Sequence, residues 1–228
     1  MITGPAGYNE YKFKVTNAAL PMVRTVLTSL YGGTDPYPEG IVDSIYYDTL
    51  DRRSYFQCFN GEARKTKFRI RGYGDGKFAQ IHLKEKNLYG VAKLKAKITP
   101  VAGIRNGAPD WEEELHPLIA PENAAMFSKI MAAASHFGPL VPAVRVRYHR
   151  YRFRMNDYRI TLDTNVEVMS FSDGRDRFQD YAVIPYHVLE VKTMEARPHL
   201  PLLGLLRLPQ ISYSKFFLGL GLLREGVI

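Results

Sequence analysis

Basic side chains recur at every second position in several short segments of this 228-residue chain. The segment 65–71 has Lys or Arg at all of its alternate positions, and the same spacing returns in the segments 84–86, 93–97 and 150–154. Side chains at alternate positions of a β-strand point to one face of the sheet. Each segment therefore predicts a strand with a strongly cationic face. Because like charges on neighbouring strands repel, these faces either contact water or converge on a polyanion.

The composition favours a globular protein with an anionic partner. The chain is 46% hydrophobic and 24% charged, which is enough apolar material for a real core. Its formal net charge of +8 suggests phosphates, nucleic acid or an acidic membrane surface as partner. The single cysteine, Cys58, excludes an internal disulfide and favours a reducing compartment. With neither a signal peptide nor a membrane span evident, we expect a cytoplasmic protein with one domain over residues 1–228.

Alternation and turn residues predict an α+β fold built on about eight strands. The strands are predicted at 8–15, 41–48, 65–73, 78–86, 91–98, 144–155, 158–168 and 181–193. Helices are predicted at 18–31, 121–135, 198–208 and 214–223, with a short helix within 50–59. Eight antiparallel strands can close into a β-barrel with flanking helices. Cations inside such a barrel are costly unless a polyanion compensates them, and each charged hydrogen bond to it contributes roughly 1.5–3 kcal/mol.

Nine segments, in order along nearly the whole chain, resemble those of the VTC-type polyphosphate polymerase domain. This domain belongs to the triphosphate tunnel metalloenzyme (CYTH-like) superfamily, and the chain is similar to its stand-alone, bacterial-type form. The matching segments are Glu10–Phe13, Tyr46–Thr49, Phe68–Gly74, Leu83–Lys86, Lys93–Lys97, Tyr148–Arg150, Arg159–Asp163, Val188–Lys192 and Ser214–Phe216. The resemblance implies that the barrel is a tunnel for phosphate chains.

The resemblance also implies a role for each matching residue. The catalytic cations that contact phosphate are Lys12, Arg69, Arg71, Arg150, Arg159 and Lys215. Further phosphate-binding lysines are Lys84, Lys93, Lys95 and Lys192. Glu190 is the expected ligand of a divalent metal, Mn²⁺ or Mg²⁺, and Glu10 is a second candidate ligand.

Several of these roles have structural alternatives. Glu10 can instead serve as the ion-pair partner that keeps Lys12 charged, and Glu190 can pair with Lys192. Asp163 shares the face of Arg159 and is either a counter-ion or a further metal contact. Surface or entrance positions are expected for Lys65, Lys67, Lys86, Arg145, Arg147, Arg152 and Arg154. The stretch from Trp111 to Glu114 is expected to be an exposed helix or loop near the tunnel.

The function implied by the resemblance is transfer of the γ-phosphate of ATP onto a polyphosphate chain. ATP and polyphosphate or triphosphate are the expected partners, and nucleic acid is not. An inorganic triphosphatase or nucleoside triphosphatase is one alternative, and a non-catalytic module that binds polyphosphate or inositol phosphates is another. The triphosphatase branch opens with E-x-E-x-K, whereas this chain has Tyr8, Glu10 and Lys12 at those positions. One carboxylate is thus missing, which favours transfer to phosphate over hydrolysis.

Overall fold

The computed structural model describes residues 9–74, 78–101, 111, 115, 119, 121–172 and 177–225. The residues Tyr8 and Glu112–Glu114, on which sequence-based expectations were placed, lie outside this set. The strands are β1 (Asn9–Val15), β2 (Glu39–Asp48), β3 (Lys65–Tyr73), β4 (Phe78–Asn87), β5 (Gly90–Val101), β6 (Val141–Met155), β7 (Tyr158–Ser172), β8 (Arg177–Val183) and β9 (His187–Thr193). The helices are α1 (Leu20–Tyr31), α2 (Arg53–Phe59), α3 (Ala124–Phe137), α4 (Pro201–Leu206) and α5 (Lys215–Glu225), and a single 3₁₀ turn, Pro121–Asn123, precedes α3.

All strands belong to one antiparallel sheet. Along the sheet the order is β1-β9-β7-β6-β2-β3-β4-β5, and β8 pairs with β7 beside this path. The predicted α+β class, with an antiparallel sheet of about eight strands and flanking helices, is thereby confirmed. The sheet curls into a half-barrel, since no pairing joins β1 to β5 within the described part of the chain.

The last predicted strand, 181–193, is in fact two strands. The break falls at Pro185, which has no backbone N–H to contribute to a ladder. On either side of it, the Ile184 N–H donates to Val166 and the Tyr186 N–H donates to Ile184, so the chain turns here. Strand residues also extend into the segment between the predicted strands 158–168 and 181–193, because β7 continues to Ser172 and β8 begins at Arg177.

Apolar residues on the convex face of the sheet fix the direction of the cations. Phe68 and Ile70 of β3 are fully buried in a cluster that includes Phe127 and Ile130 of α3. A second cluster packs α1 and α4 against the other half of the convex face. Burial of each such side chain stabilises the fold by about 1.5–3 kcal/mol. A slip of one residue in register would expose them, so the alternate residues of β3 must face the concave side.

Helix α5 covers one end of the concave face. Phe216 and Leu220 belong to a buried cluster with Val144 and Val168 of the sheet. The helix lies so close to β7 that a Cβ added at Gly219 would meet Val168 Cγ1 at 2.8 Å. This close packing leaves the first residues of α5 at the border of the uncovered, polar part of the concave face.

The side chain of Trp111 is buried, which corrects the expectation of an exposed position. Its ring contacts Tyr47 and Phe68 edge-to-face, with centroids 4.8 and 5.5 Å apart. These partners belong to the cluster under α3, so Trp111 is part of the core. No helix formed by the described residues combines the length and hydrophobicity that a membrane crossing requires.

Candidate functional site

The concave face of the sheet encloses a polar cavity with about 730 Å³ of empty space, part of it open to solvent. Nine basic residues line it: Lys12, Lys67, Arg69, Arg71, Lys84, Lys93, Arg150, Lys192 and Lys215. The remaining lining residues are two carboxylates, three tyrosines and a serine: Glu10, Glu190, Tyr46, Tyr148, Tyr213 and Ser214. So large an excess of positive charge around one cavity demands an anionic ligand.

Ten of the twelve predicted site residues line this cavity, and Arg159 and Lys95 do not. Arg159 is exposed at the beginning of β7, where it stands opposite Lys192 of β9 in the register. Lys95 is exposed on β5, the edge strand, and stands opposite His82 of β4. The alternation placed both residues on the correct face. It did not reveal that Arg159 lies beyond the cavity along its strand, or that Lys95 lies beyond it across the sheet.

Lys67 corrects the sequence-based expectation in the other direction. It was expected at the entrance, yet it is half-buried and lines the cavity. Its amino group donates to Ser214 Oγ at 2.8 Å and lies 5.7 Å from the centroid of the Phe216 ring. Lys67 is drawn inward because the segment before α5 folds over the cavity, which the pattern within β3 does not disclose.

Asp163 is the counter-ion of two lining cations. Its carboxylate is fully buried and accepts from Arg150 Nε at 2.6 Å and Nη2 at 2.8 Å. Lys215 Nζ lies 2.6 Å from the same carboxylate. Burial opposes ionisation, but Arg150 and Lys215 outweigh it and lower the pKa of Asp163. In this structure Asp163 is thus the counter-ion of Arg150 and Lys215, and the alternative of a further metal contact stays open.

Arg69 and Arg71 have only neutral partners among the described side chains. Arg69 Nη1 donates to the Tyr46 hydroxyl at 3.0 Å, and its Nε and Nη2 face His82 Nδ1 at 3.3 and 3.1 Å. Arg71 Nε donates to Ser44 Oγ at 2.9 Å. The positive charge of this arginine pair is therefore left for a ligand.

The field of the arginine pair is evident at Tyr46. Burial alone would raise the pKa of this phenol, but Arg69 and Arg71 outweigh burial and lower the pKa to about 7. Tyr46 was not predicted as a site residue. Its alternation with Ser44 on β2, opposite Arg69 and Arg71 in the register, is the signal that would have found it.

At the other side of the cavity, lysines and glutamates alternate. Glu190 Oε1 lies 2.7 Å from Lys192 Nζ, and Glu10 Oε1 lies 3.2 Å from Lys12 Nζ. Glu10 Oε2 also reaches Lys84 Nζ across the cavity at 3.7 Å. Burial opposes the charge of Glu190, yet Lys192, Arg150 and Lys12 lower its pKa well below the usual range. Both alternatives for these glutamates stay open, since a carboxylate paired with lysine can exchange that partner for a metal.

Lys93 extends this cationic wall onto β5. The residue as a whole is exposed, but it lines the cavity together with Lys84 and Lys192. Desolvation, together with the charges of Lys192 and Lys84, lowers the pKa of Lys93 to about 8. Bound phosphate would relieve this repulsion and restore full protonation.

The segment before α5 closes the cavity on one side. Lys12 Nζ donates to the Tyr213 carbonyl at 3.0 Å, and Lys215 lies over the rings of Tyr148 and Tyr213 at 4.7 and 5.0 Å. Lys215 is held in the charged form because Asp163 outweighs burial and raises the pKa of the amine. The Ser-Lys-Phe motif at 214–216 thus joins the helix to the cationic wall.

The donor set of the cavity fits a hard divalent cation only in part. Mg²⁺ is usually held by one or two carboxylates together with substrate phosphates and water. Glu190 and Glu10 provide two such carboxylates on neighbouring strands. Among the described residues, no group of three His, Cys, Asp or Glu side chains could hold a metal ion. A cation here would therefore take its other ligands from phosphate oxygens and water.

The fold of this protein is similar to that of solved structures. A proposed adenylate cyclase from Bacillus halodurans has a TM-score of 0.51 at 12% identity, covering 91% of this chain and 94% of the other. A proposed adenylyl cyclase from Hippeastrum, in which triphosphatase activity dominates, has a TM-score of 0.47 at 17% identity over 96% of both chains. At such identities the likeness concerns the fold alone. The curled antiparallel sheet around a cationic cavity matches the triphosphate tunnel fold.

Within that class the family is also established. The family model of the VTC domain matches residues 7–224, and the chain belongs to this family. The resemblance seen in the sequence is thereby confirmed. The comparison with curated proteins gave no match. The protein is a phosphate-handling enzyme of the tunnel fold, and enzymes of this kind generally use divalent metal ions.

Proposed function

We propose that the protein is a polyphosphate polymerase that transfers the γ-phosphate of ATP onto a polyphosphate chain held in the tunnel. The observation that supports this most is the convergence of nine basic residues from seven elements of the fold on one cavity. With nine cations against two lining carboxylates, the cavity carries more positive charge than one triphosphate neutralises. A growing chain of phosphates would pair with more of these cations, and each charged contact contributes roughly 1.5–3 kcal/mol.

The arginine pair is the proposed grip on the transferred phosphate. Arg69 and Arg71 are the lining arginines whose described partners are neutral, so a phosphate is their natural counter-ion. Guanidinium groups bind phosphate oxygens in a bidentate geometry. Arg150 and Lys215, already balanced by Asp163, would add donors with less gain in electrostatic energy.

The proposed reaction is an in-line displacement at phosphorus. A terminal oxygen of the polyphosphate chain attacks the γ-phosphorus of ATP, and a new P–O bond forms. The bond between the γ-phosphorus and the β–γ bridging oxygen breaks, and its electron pair leaves with ADP. The attacking oxygen is already anionic near neutral pH, so charge neutralisation and positioning by the lining cations are what the chain must supply.

Glu190 and Glu10 are the proposed ligands of the divalent cation, and the other ligands would be phosphate oxygens and water. Such a cation, when bound, neutralises charge that develops on the bridging oxygens. Its arrival would release Lys192 and Lys12 from the two carboxylates, and both lysines could then bind phosphate. We therefore expect cation and phosphate chain to bind cooperatively, each favouring the other.

Triphosphate hydrolysis is the second candidate. It is favoured by the presence of Glu10 in the cavity, because a second carboxylate beside Glu190 could orient an attacking water. Against it stands Tyr8, at the position where the triphosphatase branch has a second carboxylate.

One experiment separates these functions. The purified protein is incubated with ATP and Mn²⁺, or with ATP and Mg²⁺, and the products are resolved by gel and by phosphate assay. Polyphosphate together with ADP supports the proposal, and orthophosphate together with ADP supports hydrolysis. Unchanged ATP with either metal would refute both and leave a binding module.

A further inference from the structure

The guanidinium of Arg69 is held by a histidine at a position where a basic group would usually meet a carboxylate. His82 of β4 is buried, and its Nδ1 lies 3.3 Å from Arg69 Nε and 3.1 Å from Arg69 Nη2. The two residues are direct neighbours in the register of β3 and β4. Sequence analysis did not assign His82 to the site, and this residue does not line the cavity.

The hydrogen bonds of His82 fix its tautomer. Arg69 has donors only, so Nδ1 must be the unprotonated nitrogen that accepts from it. The other ring nitrogen, Nε2, lies 3.0 Å from Gln80 Oε1 and therefore donates to this amide oxygen. A neutral imidazole satisfies both contacts, whereas an imidazolium would place an N–H against the guanidinium. Burial and the charges of Arg69 and Arg71 accordingly lower the pKa of His82 to about 2.

The contrast with Arg150 shows what a neutral partner changes. Arg150 forms two short bonds to the buried carboxylate of Asp163, which outweighs burial and raises the pKa of Arg150 well above its usual value. For Arg69, burial and the neighbouring Arg71 lower the pKa of the guanidinium. Arg69 is thus oriented through two of its nitrogens, as Arg150 is, but its charge stays uncompensated.

We propose that His82 is a positioning residue for phosphate binding: it orients Arg69 through a neutral acceptor and leaves the full charge of the guanidinium to the phosphate. His82 accepts from Nε and Nη2, and Tyr46 accepts from Nη1. An N–H on each terminal nitrogen then remains for phosphate oxygens. The inference rests on the proposed binding of phosphate chains by Arg69.

The test compares three substitutions by calorimetric titration with tripolyphosphate in the absence of metal. His82→Asn retains an oxygen acceptor near the position of Nδ1, His82→Leu removes the acceptor, and His82→Asp adds a charge. We expect the Asp variant to bind tripolyphosphate about 10- to 100-fold more weakly than wild type, because the new carboxylate competes for Arg69. The Leu variant loses about 10-fold, and the Asn variant restores most of that loss.

Stability separates a positioning role from a merely structural one, in which affinity would follow stability. If His82 positions Arg69, the Asp variant forms an ion pair with Arg69, so its unfolding midpoint should equal or exceed that of the Leu variant while its phosphate affinity is lower. Equal affinity of the Asp variant and wild type would overturn the inference. A pH dependence could also overturn it. If tripolyphosphate affinity rises as the pH falls from 7.5 to about 5.5 in wild type but not in His82→Asn, His82 is a cationic ligand.

A further variant distinguishes failure of this inference from failure of the proposed function. Arg69→Gln removes the guanidinium itself and should weaken tripolyphosphate binding at least as much as His82→Asp. If Arg69→Gln binds like wild type, the proposed phosphate site is wrong. If Arg69→Gln weakens binding and His82→Asp does not, only the positioning role is wrong.

Discussion

Removal of the Asp163 charge should destabilise the free protein and increase the gain in thermal stability that bound phosphate provides. In Asp163→Asn, the side chain keeps its size but no longer balances Arg150 and Lys215, which both lie within 2.6 Å of it. Loss of one partner from a buried ion pair costs about 3–5 kcal/mol. For a chain of this size, each kcal/mol corresponds to a shift of about 2–4 °C in Tm, so a loss of roughly 6–20 °C is expected.

The assay is thermal unfolding with and without saturating tripolyphosphate. Bound phosphate supplies the negative charge that the variant lacks, so the difference in Tm between variant and wild type should shrink when the ligand is present. Asp157→Asn, in the exposed turn between β6 and β7, is the matched control and should change the free energy of unfolding by less than about 0.5 kcal/mol. A variant as stable as wild type, or a gap that tripolyphosphate leaves unchanged, would refute the counter-ion role.

The same pair gives a pH dependence with a definite sign. Arg150 and Lys215 lower the pKa of Asp163 in the folded protein relative to the unfolded value of about 3.9. The stabilisation is therefore fully present above about pH 4 and is lost as the pH falls through the lower, folded pKa. In acid titrations, Asp163→Asn should lose less stability than wild type.

Three further predictions concern the cavity and the helix that closes it. Glu190→Gln should lower turnover at least about 100-fold while metal-free tripolyphosphate binding stays equal or becomes tighter, since the change removes a metal ligand and a negative charge. Arg69 and Arg71 lower the pKa of Tyr46 to about 7 in the free protein, and bound phosphate, which offsets these charges, should raise that pKa. Phosphate affinity should therefore fall above pH 7, by up to about tenfold per pH unit. Gly219→Ala should cost about 1–3 kcal/mol of stability because its Cβ meets Val168, whereas Gly221→Ala, with open space, should gain about 0.5–1 kcal/mol.

Each of these has a result that contradicts it. Full turnover of the Glu190 variant with either metal would rule out this residue as a required ligand. The pH effect is measured as the difference between wild type and Tyr46→Phe, because phosphate itself titrates in this range; parallel profiles would exclude a role for the phenol. Denaturant midpoints compare the two glycine variants, and equal values would show that α5 does not pack tightly on β7.

Much of the sheet could be predicted because it depends on local alternation. The side chains of β3 alternate between the core under α3 and the cavity, and the apolar set of Phe68 and Ile70 leaves one possible direction for Arg69 and Arg71. Antiparallel neighbours joined by short turns follow from the same pattern. The split of the last predicted strand was missed because the residues on both sides of Pro185 are largely apolar, so that the segment resembles one continuous strand.

The candidate site was less predictable because alternation along a strand indicates which face of the sheet a side chain occupies, but not whether it lies within the cavity on that face. Lys95 and Arg159 share the correct face with residues that line the cavity, yet their positions along and across the sheet place them outside it. Lys67 lines the cavity because Ser214, 147 residues away, folds over it. Contacts at such separation in the chain leave no local pattern. His82 is only 13 residues from Arg69, and its place beside the guanidinium depends on the register of the β3–β4 hairpin, which the sequence does not specify.

The most direct test of the central claim is the fate of the γ-phosphate. The protein is mixed with ATP labelled at the γ-position, a divalent metal and an unlabelled polyphosphate primer, and the labelled products are separated by length. Transfer inside the tunnel predicts label at the ends of chains longer than the primer, in amounts equal to the ADP formed. Label found entirely in orthophosphate, with the primer unchanged in length, would contradict the proposal.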